Sequence, residues 1–73
     1  MPKLPILSAK ELVKIFEKLG YFVVRQKGSH IRMHHDTKYA ITIPNHKTIG
    51  RGLLKKILRD SEISAETIIA SRK

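Results

Sequence analysis

Cysteine and tryptophan are absent from this 73-residue chain, and acidic residues are scarce, 6 against 15 Lys and Arg. Without Cys there is neither a disulfide framework nor a thiolate metal site. A chain this short is near the lower limit for a self-sufficient core, so it must rest on packing or on a bound partner. The apolar runs are only a few residues long, far short of the roughly 20 needed to span a bilayer. The opening MPKLPILSAKEL lacks the long apolar stretch of a secretory signal. One soluble, cytoplasmic domain over residues 1–73 is therefore expected. Aromatic residues are also few: Phe16, Tyr21, Phe22 and Tyr39. The core is expected to claim most of them, leaving no exposed platform for stacking bases.

What is present is positive charge, and it is unevenly placed. The net charge is +9. Arg25, Lys27, Arg32, Lys38, Lys47, Arg51, Lys55, Lys56 and Arg59 fall in the central part of the chain, where Asp36 is the sole acid. The flanking segments are closer to balance. Clustering of one sign creates a field that attracts polyanions, of which nucleic acid is the commonest. An anionic membrane or an acidic protein would answer the same charge.

Local patterns give an order of elements. Ser8-Ala9-Lys10-Glu11 has the form of a capping box that opens a helix. Leu12, Phe16 and Leu19 recur at helical spacing, Val13 and Ile15 widen the stripe, and Gly20 suits a left-handed close. Tyr21-Phe22-Val23-Val24 predicts a strand and Lys27-Gly28-Ser29 a turn. From His30 to His35 apolar and polar residues alternate, Ile31 and Met33 against His30, Arg32 and His34. After a turn at Asp36-Thr37, Tyr39, Ile41 and Ile43 alternate with Ala40 and Thr42 until Pro44. Leu53, Leu54, Ile57 and Leu58 mark a second amphipathic helix with Arg51, Lys55, Lys56 and Arg59 on its other face. A short third helix from Ser64 would bury Ile68, with Ile69 beside it. The fold class is α+β: α-β-β-β-α with a small terminal α. Helices would cover one face of a three-stranded antiparallel sheet, leaving His30, Arg32 and His34 in water.

The stretch RQKGSHIRMHH holds three of the four histidines, with Arg25, Lys27 and Arg32 among them. Shared metal ligation is disfavoured. On a strand, His30 and His34 lie about 13 Å apart, too far for ring nitrogens that must each approach one zinc ion to about 2.1 Å. Acid–base chemistry on RNA suits the residues better. Imidazole titrates near neutrality and can take a 2′-OH proton, while Lys and Arg offset charge on the phosphorane. His30 directly follows Gly28-Ser29, where backbone can approach a phosphate and Ser29 can donate a hydrogen bond. By residue chemistry alone, a solvated histidine on a basic strand is the stronger explanation of the pattern, and a non-catalytic RNA-binding module is the alternative to an enzyme. A DNA-binding helix-turn-helix from Leu53 to Ser71 is weakened by Asp60, Glu62 and Glu66, which repel phosphate.

The succession KLGYFVVRQKGSHIRM, then ITIPNH, then GRGLLKKILRDSEIS resembles the HicA-type mRNA interferase toxins of toxin–antitoxin pairs, over a core of about residues 8–69. In that family a helix ends at a Gly, a strand leads into Gly-Ser-His, Pro-x-His follows the last strand, and a Gly precedes a Leu-rich basic helix. The resemblance implies a fold similar to a double-stranded-RNA-binding domain, cleavage of mRNA, and neutralisation by a HicB-type antitoxin. It places the catalytic histidine at His30, with Gly28 and Ser29 as motif neighbours and His46 at the Pro-x-His position. Together these readings predict an endoribonuclease that needs no metal or small-molecule cofactor and does not bind membranes. Arg25, Lys27, Gly28, Ser29, Arg32, His46, Lys55, Lys56 and Arg59 would contact RNA. One departure is Asp60-Ser61-Glu62-Ile63, where the family usually has Gly before the Ile.

Overall fold

The computed structural model describes residues 4–72. Six elements follow in order: α1 (Ala9–Lys18), β1 (Phe22–Lys27), β2 (His30–His34), β3 (Ile41–Pro44), α2 (Arg51–Ser61) and α3 (Ala65–Ser71). The strands form one antiparallel sheet in the order β1-β2-β3. Both the α+β class and the element order expected from the sequence are observed. No helix among the described residues is long and apolar enough to cross a membrane.

Each end of α1 is closed by the groups its sequence supplies. Ser8 Oγ accepts from the Glu11 N–H at 3.1 Å, and the Ser8 N–H donates to Glu11 Oε1 at 3.0 Å. The backbone bond from Ser8 is the main reason the Glu11 carboxyl is held below its ordinary value. Its contribution is therefore full above the unfolded-state pKa and is lost as pH falls through the lowered one. At the other end Gly20, at φ 96°, lets the chain reverse. The Gly20 N–H then reaches the Glu17 carbonyl at 3.1 Å and the Tyr21 N–H reaches the Phe16 carbonyl at 3.0 Å. These two bonds define a Schellman close.

That close corrects the expected first strand. Tyr21 spends its N–H on the helix end and buries its ring, which meets Phe16 edge-on at 5.1 Å. The strand starts one residue later and continues to Lys27, beyond Val24. A two-residue turn, Gly28-Ser29, follows. Gly28 has φ 56° and Ser29 is not left-handed, as in a type II′ hairpin. In β2, Ile31 and Met33 are buried while His30, Arg32 and His34 are exposed, as alternation predicts.

The last strand is also shorter than expected, because Tyr39 lies outside it and is 66% exposed. Its carbonyl accepts from the Tyr21 hydroxyl at 2.8 Å, so the backbone, not the ring, joins the core. Helices α1 and α2 both pack against β3. Strand β1 is left exposed on both faces. Two aromatic residues, Phe22 and Tyr39, thus remain in water, contrary to the expectation that the core takes most of them.

Burial on α2 falls on Leu54, Ile57 and Leu58, with Leu53 packed at the edge. Leu4 and Leu7 join the same core ahead of α1. Helix α2 ends in a second Schellman close, with Glu62 rather than Gly in the left-handed position (φ 61°). Its N–H bonds Arg59 O at 3.3 Å and the Ile63 N–H bonds Leu58 O at 3.1 Å. The departure from Gly therefore keeps the turn at the expense of backbone strain. Replacing Glu62 with Gly is expected to stabilise the fold by up to about 1 kcal/mol, or about 4–8 °C in Tm for a domain of this size. A melting curve with no increase would show the left-handed residue is unstrained.

Candidate nucleic-acid interface

Cross-strand pairing decides which side chains share the sheet face that carries no helix. Residues paired between antiparallel strands point to the same side. His30 pairs with Lys27 on one flank and Pro44 on the other, and Arg32 pairs with Arg25 and Thr42. Phe22 pairs with His34. Because His30, Arg32 and His34 are the exposed members of β2, these partners stand on the open face with them. One Arg32 Nη1–H donates to Thr42 Oγ1 at 3.0 Å, which fixes the guanidinium across the sheet.

Two hollows meet at His30. The first, about 460 Å³, is lined by Arg25, Lys27, His30, Arg32 and Thr42. It contains three fixed cations and no acid. The second, about 360 Å³, shares His30, Arg32 and Thr42 and extends over the edge of β3 to Lys56 and Asp60 of α2, with Leu53 and Ile57 in its wall. His30 is thus the one imidazole lying in both, and it makes no hydrogen bond or ion pair among the described residues. An exposed imidazole with both nitrogens free, ringed by Arg and Lys, can exchange a proton with a bound phosphodiester's neighbour while the cations hold the phosphate.

The residues expected to contact RNA separate into those brought to this place and those that are not. Arg25, Lys27, Arg32 and Lys56 line the hollows with His30. Gly28 and Ser29 form the turn that ends in His30, and Ser29 O is tied to the Asn45 N–H at 2.6 Å. Lys55 and Arg59 are exposed on α2 but line neither hollow. His46 also lines neither; its carbonyl accepts from the Ala9 N–H at 3.0 Å, joining the loop to the start of α1. Arg51 is engaged elsewhere, donating from Nε to Leu4 O at 2.8 Å.

The other histidines of the central stretch have distinct surroundings. His34 is exposed at the far end of the open face, beside Phe22. His35 faces the opposite way and is half-buried. Its Nδ1 accepts from the Thr37 and Lys38 N–H groups at 3.0 and 3.2 Å, so its proton sits on Nε2, which donates to Leu19 O at 3.1 Å. Among the described residues no group of three or more His, Asp or Glu side chains gathers as a metal cage would. Sequence reasoning overlooked Thr42, Asp60 and Phe22. Thr42 was legible from the alternation of Ile41 and Ile43, whereas the other two depend on contacts that no local pattern encodes.

A family model described as HicA toxin of bacterial toxin-antitoxin matches residues 9–63, a span that runs from the first residue of α1 to the residue after the α2 close. A search of the curated proteins finds no match.

Proposed function

The chain belongs to the HicA toxin family of bacterial toxin–antitoxin systems, and on that premise we propose that it is an endoribonuclease that cleaves mRNA without a metal ion. The observation that carries this reading is the position of His30 at the junction of two hollows, among Arg25, Lys27, Arg32 and Lys56. An RNA phosphodiester lies with its charge against these cations. His30 takes the proton of the 2′-OH as that oxygen attacks the adjacent phosphorus. The bond from phosphorus to the 5′-oxygen breaks, and the departing oxygen takes a proton from solvent. The products are a 2′,3′-cyclic phosphate and a 5′-hydroxyl. Arg32, steadied by Thr42, and Lys27 offset the charge that builds on the phosphorane.

A cognate antitoxin of the HicB type would silence this chemistry by covering the same face. The two hollows and the net charge of +9 call for an acidic partner surface, which competes with RNA for the same cations.

The test is cleavage of a long unstructured RNA in EDTA. Cutting is expected to persist and to leave cyclic phosphate ends. Activity that vanishes on chelation, with products ending in a plain 3′-OH, would sink the mechanism. Binding of RNA with no cleavage under either condition would make the protein a binding module.

A further inference from the structure

We propose that Phe22 is a stacking site for an unpaired nucleobase, so that the open face takes RNA as a single strand laid along β2 from His30 toward His34. This rests on the ribonuclease reading above and adds to it the form of the substrate.

The argument starts from a break in the register. In a regular strand, residues three apart point to opposite faces, so Phe22 and Arg25 would be separated by the sheet. Between Val23 and Arg25 the pairing slips, leaving Val24 without a partner. Such a bulge puts two residues of one strand opposite one of the other and rotates what precedes it. Val23 pairs with Met33 on the core side, while Phe22 pairs with His34 and Arg25 with Arg32 on the open side. The extra residue therefore brings an aromatic ring onto the cationic face. Without it, Phe22 would share the side of Gln26, which pairs with buried Ile31.

Phe22 is 46% exposed, a costly placement for one of four aromatic residues in so small a chain unless something covers it. Its row is next to that of Arg25 and Arg32, which in turn adjoins that of Lys27 and His30. A backbone held by the cations and a base set on the neighbouring ring is the arrangement by which single strands are bound. The span from His30 to His34, about 13 Å, accommodates a short run of nucleotides. In a duplex the bases are stacked inside and cannot reach the ring.

The probe is a short unstructured RNA oligonucleotide, bound by protein carrying His30→Ala so that it stays intact. Adding Phe22→Ala should weaken binding by about 5- to 100-fold, and Phe22→Tyr should restore most of it. Affinity for a duplex of the same sequence should change little. In the cleaving protein, Phe22→Ala should raise KM more than it lowers kcat. Equal single-strand affinity with and without the ring would overturn the proposal, as would an equal loss for duplex. Loss of antitoxin binding alone would assign the ring to the protein partner and overturn it too. If the His30→Ala protein binds no RNA at all, the ribonuclease reading itself fails, a result distinct from the others.

Discussion

Replacing His30 with alanine is expected to reduce RNA cleavage by about two to four orders of magnitude, the range general acid–base catalysis supplies, with melting temperature and circular dichroism unchanged. The fold should not notice the change. The His30 side chain is exposed on β2 and makes no hydrogen bond or ion pair among the described residues, and surface substitutions of that kind stay within about 0.5 kcal/mol. Binding should not collapse either, because Arg25, Lys27 and Arg32 still line the hollow and supply most of the attraction for phosphate. A large loss in kcat with little change in RNA affinity is thus the signature of proton transfer. A loss in affinity with kcat preserved would instead make His30 a contact. Added imidazole offers a second readout, since it should partly restore cleavage to His30→Ala by entering the space the ring leaves. A residue with a structural role would show no such rescue.

How far the sequence announced this arrangement depends on whether a feature is local. The capping box at Ser8 and the left-handed Gly20 are decided within a few residues, and both stand where the pattern placed them. The alternation in β2 was legible because one face is buried and the other wet, which writes itself into the sequence. Strand β1 carried no such signal, being exposed along its whole length, and propensity alone put its start at Tyr21. What overrode propensity was the helix close, which took the Tyr21 N–H. The face on which Phe22 lies is set by a bulge, and a bulge exists only relative to the partner strand. The basic side of α2 was visible as a whole, but which of its cations reaches His30 is a matter of helical phase. With Leu54, Ile57 and Leu58 buried, Lys56 turns toward the edge of β3 and Lys55 does not. The gathering of Arg25, Lys27 and Arg32 about His30 was therefore readable from neighbours in sequence, whereas Lys56 was named together with Lys55 and Arg59 and only the structure separates it from them.

Gly20→Ala is expected to be the most damaging single substitution away from the hydrophobic core, lowering stability by about 2–3 kcal/mol from two separate causes. A non-glycine residue at φ 96° is strained by about 1–2 kcal/mol. In addition, a Cβ at this position would stand 2.9 Å from His35 Nε2, too close for a carbon and nitrogen not bonded to one another. The imidazole cannot easily move aside. It is held by the Thr37 and Lys38 N–H groups on one nitrogen and Leu19 O on the other, and its ring lies 4.9 Å from that of Tyr21. His35 thus pins the turn after β2 to the end of α1, and Gly20 leaves the room for it. For a domain of this size the expected fall in Tm is about 10–20 °C. A double-mutant cycle separates the causes. His35→Ala alone should cost about 1–2 kcal/mol through its lost hydrogen bonds. In that background Gly20→Ala should cost only the backbone strain, so the two penalties should sum to more than the double variant loses. Full additivity would mean the ring yields freely and the strain acts alone. A Tm unchanged by Gly20→Ala would mean that the Schellman close does not need glycine, and that His35 does not depend on the room glycine leaves beside the end of α1.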